Sequence, residues 1–105
     1  MSRFRTQLRH RELVADHTMA FHFERPSGFQ FKAGQTLDLT LIDPPETDAE
    51  GNTRTFSITS APQDTDLVIA TRMRNSAFKR VLASAPLATS VDADGPWDRS
   101  RSITM

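Results

Sequence analysis

Apolar and polar positions alternate with a period of two through most of this chain of 105 residues. The clearest run is Leu37, Leu39 and Leu41, which alternates with polar side chains and stops before Pro44-Pro45. Because successive side chains of a strand point to opposite faces, this spacing predicts a strand with one buried face. The same pattern predicts about six strands, at residues 3–14, 19–24, 37–41, 53–59, 66–73 and 88–93.

One stretch changes to a helical period. Ala77, Val81 and Leu82 share one face of a short helix between Ser76 and Ala85, and Pro86 prevents its continuation. Ser76 is predicted to be the N-cap. Six short strands separated by turn signals, with a single helix, predict an all-β fold, either an antiparallel barrel or a sandwich.

The long segment 3–14 carries arginines along its whole length, which favours an edge strand. A turn is expected at Pro26-Ser27-Gly28. Residues 43–52 hold four acids, two prolines and no apolar periodicity, so they predict a solvated loop, with a partner-facing acidic loop as the alternative. The last predicted strand ends before Asp94-Gly95-Pro96-Trp97, which reads as a turn.

Composition narrows the possible functions. The length favours a single domain, and 13 basic against 13 acidic side chains argue against a dedicated nucleic-acid-binding protein. The absence of cysteine excludes disulfides, thiolate nucleophiles and cysteine-based metal centres. Apolar runs are far shorter than the roughly 20 residues that span a bilayer, and no secretory signal is visible. The expectation is a soluble cytoplasmic domain that neither binds nucleic acid nor enters a membrane.

Metal and hydrolase chemistry finds no support in the sequence. His10, His17 and His22 have no metal-ligand spacing with nearby carboxylates, so we interpret them as surface imidazoles. No glycine-rich phosphate loop and no Gly-x-Ser-x-Gly elbow is present.

The segment Arg54-Thr55-Phe56-Ser57 is the first that predicts ligand chemistry. Strand alternation places Arg54 and Phe56 on one face, roughly 7 Å apart. A guanidinium and a ring at that spacing can bind a phosphate and stack on a planar heterocycle of the same molecule. Ser57 comes next and could reach a ring nitrogen. The alternative is that Phe56 is a core residue.

The second such segment runs from Leu67 to Val91 and contains four basic residues and no acid. Asn75 and Ser76 open the predicted helix within it, and a helix N-terminus is a ready anion site. An arginine-bearing strand followed by a helix start suits a diphosphate. The alternative is a solvated basic face, made of Arg72, Arg74, Lys79 and Arg80.

Taken together, these segments resemble the flavin-binding domain of the ferredoxin–NADP reductase superfamily. The family's Arg-x-Tyr-Ser motif corresponds to residues 54–57, and three further segments follow its pattern in order along nearly the whole chain. They are Phe31-Lys32-Ala33-Gly34-Gln35, the stretch Thr71 to Lys79, and Gly95-Pro96-Trp97.

The resemblance implies that residues 1–105 form a six-stranded antiparallel Greek-key barrel with one small helix, which binds FAD or, in some branches, FMN. By the family pattern Arg54 pairs with the phosphates, Phe56 stacks on the isoalloxazine ring, and Ser57 lies at the catalytic position beside flavin N5. The other cofactor-binding positions it implies are Thr55 in the motif, Ala70, Thr71 and Arg72 along the flavin, and Asn75, Ser76 and Ala77 at the diphosphate.

Two departures from the family pattern lie in the motifs themselves: Phe56 replaces the usual tyrosine, and Asn75 stands where glycine is frequent. A third concerns the NAD(P)-binding domain, for which the chain has no strand–glycine-loop–helix unit. The sequence therefore predicts the flavin half of an NAD(P)H-dependent oxidoreductase, inactive alone, with a separate nicotinamide-binding chain or redox partner. Exposed apolar surface at the missing lobe would favour self-association into a homo-oligomer.

Two other functions are compatible with the pattern. The first is a non-catalytic barrel that serves as a protein-interaction or assembly module without flavin. The second is an oligonucleotide-binding barrel, which the neutral net charge disfavours.

Overall fold

The structure, a computed structural model, describes residues 2–98, so Met1 and residues 99–105 of the predicted domain lie outside the described residues. Six strands and one helix follow one another along the chain. They are β1 (Ser2–Ala15), β2 (Thr18–Glu24), β3 (Thr36–Leu41), β4 (Thr53–Ser57), β5 (Asp66–Arg72), α1 (Ala77–Ser84) and β6 (Ser90–Trp97).

All six strands belong to one sheet, in the order β4-β3-β6-β1-β2-β5, and every pair is antiparallel. The order places β6 between β3 and β1, so the chain crosses over as in a Greek key. The two edge strands meet at a single bridge between Ile58 and Ile69, where the Thr59 amide donates to the Val68 carbonyl at 2.8 Å. The sheet thus curls into a barrel-like shape without full closure, which confirms the all-β prediction.

The buried face of the sheet follows the predicted alternation. Leu37, Leu39 and Leu41 of β3 are all buried, and Phe21 and Phe23 of β2 are fully enclosed. Burying side chains of this kind contributes about 1.5–3 kcal/mol each. The apolar positions that predicted the strands therefore form the core.

The structure corrects the prediction that β1 is an edge strand. Its first half, Ser2 to Gln7, pairs with β6, and its second half, Leu8 to Ala15, pairs with β2. Arg3, Arg5 and Arg9 are exposed because they lie on the outer face of the sheet. An antiparallel sheet with one solvated face accepts charges on an internal strand, so the arginines do not mark an edge.

A second correction concerns the end of the chain, where β6 continues through the expected turn to Trp97. The β3–β6 register shifts between Thr36 and Asp38, which is the irregularity that a β-bulge produces. Gly95 has φ +150°, and a Cβ there would lie 3.1 Å from both the Thr36 carbonyl oxygen and Leu37 Cδ1. A glycine is required at this close approach, and the strand continues beyond it.

Helix α1 joins β5 to β6 and covers the core with the face that the sequence predicts. Ala77, Phe78, Val81 and Leu82 are buried. No helix within residues 2–98 has the length and apolar character needed to cross a membrane.

Candidate anion-binding site

The start of α1 is the centre of the candidate site. Ser76 has φ −121° and ψ 154°, outside the helical region, and its hydroxyl accepts a hydrogen bond from the Lys79 amide at 3.3 Å. This confirms the predicted N-cap. The Ala77 amide donates to Asp48 Oδ2 at 3.0 Å. Both contacts show that the first-turn amides, with their partial positive charge, hold oxygen acceptors here.

A small polar cavity of about 170 Å³ opens beside this helix start. It lies below the roughly 300 Å³ at which pockets for whole small-molecule ligands begin, so it suits one charged group of a larger ligand. Its lining consists of one acid, two cations and two neutral polar residues. They are Glu50, Arg74, Lys79, Asn75 and Ser76.

The cavity lining holds two cations, Arg74 and Lys79, against one acid, Glu50, and this imbalance acts on Lys79. Partial burial lowers the pKa of the Lys79 ammonium below its ordinary value of 10.5, and the neighbouring Arg74 and Arg54 lower it further. Glu50 acts in the opposite direction and does not cancel them. Because neighbouring cations disfavour the charged form of Lys79, a bound anion would stabilise that form.

Arg54 lies at the edge of this cluster, with its side chain only 20% exposed. Its Nη1 donates to the carbonyl oxygens of Glu50 at 3.1 Å and Gly51 at 3.3 Å, and its Nη2 donates to Glu50 Oε1 at 2.6 Å. The guanidinium carbon also lies 5.2 Å from the centre of the Phe78 ring. In this arrangement Arg54 binds the chain's own loop.

Phe56 shares the inner face of β4 with Arg54, as the alternation predicts, and it is a core residue. It is 8% exposed, and its ring centre lies 5.8 Å from that of Phe78. The ring therefore presents no open face on which a planar ligand could stack. Phe56 thus packs in the core in this structure, and its stacking on a ligand stays a prediction.

Other predicted residues lie on the edge strands β4 and β5, and we call the unpaired junction of these two strands the β4–β5 cleft. The strands join at the Ile58–Ile69 bridge and are not paired elsewhere among the described residues. Ser57 and Ala70 each lie one residue from that bridge, and both are half-buried. From Ile58 to Arg54 the strand runs roughly 13 Å toward the helix start.

The remaining predicted residues differ in what they offer to a ligand. Thr55 is exposed and donates to Asp38 Oδ1 at 2.5 Å, while Thr71 is half-buried. Arg72 is exposed, and its carbonyl accepts from Lys79 Nζ at 2.5 Å. The Ala77 side chain is buried, so only its amide faces the site. Asn75 lines the cavity, and its side-chain oxygen accepts a hydrogen bond from Arg80.

Four residues of the site were not among those predicted. Lys79 and Arg74 stood in the basic run, and the position of Lys79 three residues after the N-cap could have singled it out. Asp48 and Glu50 belong to the loop predicted to be merely solvated. The loop is exposed, but these acids contact the chain's own helix and arginine. Asp48 and Ala77 are 29 residues apart, so no local pattern of the sequence predicts their contact.

The histidines do not form a metal centre within residues 2–98, where no group of three or more histidines and acids could hold an ion. His10 and His17 are exposed. His22 is half-buried, with Nε2 at 3.0 Å from Glu12 Oε2.

A curled antiparallel sheet with one helix, whose two edge strands meet at a single bridge, defines the fold class. Three solved structures share it. A siderophore-interacting protein from Acinetobacter baumannii has a TM-score of 0.71 at 15% identity over 91% of this chain. A ferredoxin NADP+ reductase from Neisseria gonorrhoeae, solved with bound FAD and NADP, has 0.70 at 18% over 89%. Phthalate dioxygenase reductase has 0.69 at 19% over 92%.

These comparisons confirm that the chain has the fold of the flavin-binding domain of ferredoxin–NADP reductase-like proteins. The chain spans 41%, 38% and 30% of the length of the three proteins, less than half of each. No protein-family model and no curated protein sequence matches the chain.

Proposed function

We propose that this chain is the flavin-binding domain of an NAD(P)H-dependent oxidoreductase and that FAD is its ligand. The observation that carries the proposal is the excess of positive charge at the start of α1. Arg74 and Lys79 line a cavity there sized for a charged group, and Arg54 binds Glu50, which lines the same cavity. In this fold, the Neisseria gonorrhoeae reductase was solved with bound FAD.

The donors present at the helix start fit a diphosphate. Arg74 and Lys79 carry charge that no acid in the cavity fully balances, and the amides of the first turn already bind oxygen acceptors. Charge-assisted hydrogen bonds to phosphate contribute about 1.5–3 kcal/mol each. Arg54, Asn75, Ser76 and Ala77 complete the proposed diphosphate site.

The β4–β5 cleft is the proposed place for the flavin ring and its ribityl chain. The backbone of β4 has no strand partner there among the described residues, so its polar groups can bind the edge of a heterocycle. Thr55, Ser57, Ala70, Thr71 and Arg72 are the residues that we assign to this contact. Stacking on Phe56 stays a prediction, and it requires the Phe56 or Phe78 ring to turn from its place in the core.

A bound flavin would supply hydride and single-electron transfer, which no side chain of this protein provides. Ser57 is the residue that we assign to the ring nitrogen that takes the hydride, where its hydroxyl or amide would donate a hydrogen bond. The described residues hold no nicotinamide-binding unit. We infer that this unit or another redox partner lies outside residues 2–98, as in phthalate dioxygenase reductase, which transfers electrons from pyridine nucleotides to [2Fe-2S].

The direct test is to measure flavin binding by the purified protein. We expect stoichiometric quenching of FAD fluorescence on titration, and weaker quenching with FMN and riboflavin, which lack the diphosphate. Equal binding of riboflavin and FAD would contradict the role of the helix start. Absence of flavin binding, by the wild-type protein and by its Glu50→Gln variant alike, would refute the proposal.

The second candidate function is a non-catalytic barrel that serves in protein interaction or assembly. The observation in its favour is that Phe56 is buried and that Arg54 is engaged by the loop carbonyls and by Glu50. A protein that binds no flavin but elutes as a stable oligomer would support this alternative. Self-association of the flavin-binding form stays a separate prediction.

A further inference from the structure

The acids of the loop between β3 and β4 lie on the donors of the anion site. We call residues 46–50 the acidic strap. Glu50 Oε1 accepts from Arg54 Nη2 at 2.6 Å, and Asp48 Oδ2 accepts from the Ala77 amide at 3.0 Å. Glu46 pairs with Arg80 at 2.8 Å on the exposed side of the helix. Two carboxylates of the strap thus hold the two kinds of donor, a guanidinium and a helix amide, that a phosphate would use.

The strap is folded into a defined turn. Asp48 Oδ1 accepts from the Glu50 amide at 3.0 Å, and the Asp48 carbonyl accepts from the Gly51 amide at 3.0 Å. The Arg54 guanidinium closes the turn by donating to the Glu50 carbonyl at 3.1 Å. The acids are therefore held in place over the site.

Little apolar surface holds the strap to the rest of the molecule. No residue from Asp43 to Asn52 is buried, and Glu46 to Glu50 are all exposed. Its attachment consists of hydrogen bonds and ion pairs, which an anion of greater charge can replace. Lifting the strap would not open the hydrophobic core.

We propose that the acidic strap is an internal competitor of the ligand's diphosphate, so that a ligand binds only when Asp48 and Glu50 release the helix start and Arg54. This inference rests on the proposed function and adds a regulation of the same site. When the competent state is only fractionally populated, the apparent affinity falls by that fraction. Anything that draws the strap away, such as a basic surface of a partner, would then increase the affinity for the ligand.

The test compares ADP and FAD binding by the wild-type protein, Glu50→Gln and Asp43→Asn. Glu50→Gln keeps the shape of the side chain and removes the charge that faces Arg54. Asp43→Asn is the matched control, because it removes one charge from the same loop at a residue without a hydrogen bond or ion pair within residues 2–98. We expect Glu50→Gln to bind both ligands about tenfold more tightly, and Asp43→Asn to bind like the wild type.

Each outcome decides between the two proposals. If the wild type binds and Glu50→Gln binds equally or more weakly, the strap is not a competitor and the proposed function stands. If only Glu50→Gln binds, the competition is supported in its strongest form. If neither protein binds ADP or FAD, both proposals fail.

Amide hydrogen exchange gives a second readout on the wild-type protein. The Glu50 and Gly51 amides donate within the strap in the free structure. Release of the strap by saturating ADP is expected to speed their exchange. Unchanged or slower exchange at both amides, with ADP bound, would overturn the inference.

Discussion

At the scale of single residues, the site is defined by cations that differ in their engagement with the protein. Arg54 makes several hydrogen bonds to the loop, so its replacement would disturb structure and binding together. The Arg74 side chain is exposed, makes no hydrogen bond or ion pair within the described part of the chain, and lowers the pKa of Lys79. Replacing Arg74 can therefore test its role in ligand binding without removing a structural contact of its side chain.

We predict that Arg74→Gln weakens FAD binding about tenfold and leaves the melting temperature unchanged or slightly higher. FAD binding weakens because a charge-assisted contact is lost. The melting temperature does not fall because the charge repulsion between residue 74 and Lys79 is removed. Fluorescence titration and thermal unfolding measure the two quantities. Arg3→Gln, an exposed arginine on β1, is the control and should change neither. A drop in melting temperature with unaltered FAD affinity would contradict the assigned role.

At the scale of elements, the site depends on the contact between the acidic strap and α1. The hydrogen bonds that Asp48 accepts from the Ala77 amide and then the Glu50 amide lower the pKa of its carboxyl below the ordinary 3.8. The hydrogen bond from Arg80 lowers the pKa of the Glu46 carboxyl below 4.5. Both shifts mean that the folded protein stabilises the ionised form of these two carboxylates of the strap.

Acid should therefore loosen the strap. A carboxyl with a depressed folded-state pKa stabilises the fold above its unfolded pKa and loses that contribution as pH falls through the folded value. We predict that stability begins to fall below pH 4.5 and continues to fall below 3.8, from these two groups. Urea unfolding across this range should show a smaller loss for Asp48→Asn than for the wild type. If the free energy of unfolding falls with pH equally in the two proteins, the contact of Asp48 with the helix does not stabilise its ionised carboxylate.

The same elements show how far sequence reasoning reaches. The strands and α1 could be predicted because their apolar periods are local, as at Leu37 to Leu41 and at Ala77 to Leu82. The extension of β6 through Gly95 was missed because a bulge tolerates residues that otherwise indicate a turn. The strap was missed because its pairing with α1 joins segments 29 residues apart, from Asp48 to Ala77. The burial of Phe56 depends on Phe78, which is likewise distant in sequence.

At the scale of the whole molecule, every element of residues 2–98 belongs to the sheet or covers it. All strand pairs are antiparallel, so this part of the chain holds no parallel strand–helix–strand unit of the kind that binds a dinucleotide. Hydride transfer needs the donor carbon about 3–3.5 Å from its acceptor, and such positioning requires a nicotinamide site.

We predict that this chain of 105 residues does not reduce a dye acceptor with NADH or NADPH, even with added FAD. A diaphorase assay on the purified protein measures this, with a complete two-domain reductase of the same fold as the positive control. Sustained turnover by the chain alone would show that it holds a nicotinamide site of its own.

In the proposed function, the start of α1, beside Arg54, receives the phosphates of a flavin nucleotide. Nuclear magnetic resonance with ¹⁵N-labelled protein tests it at single-residue resolution during an FAD titration. We predict saturable shifts at the amides of Ser76, Ala77 and Lys79 and at the Ser57 amide on β4. With ADP we predict the same shifts at the helix start only. Shifts confined to other surfaces, or a spectrum unchanged at saturating FAD, would contradict it.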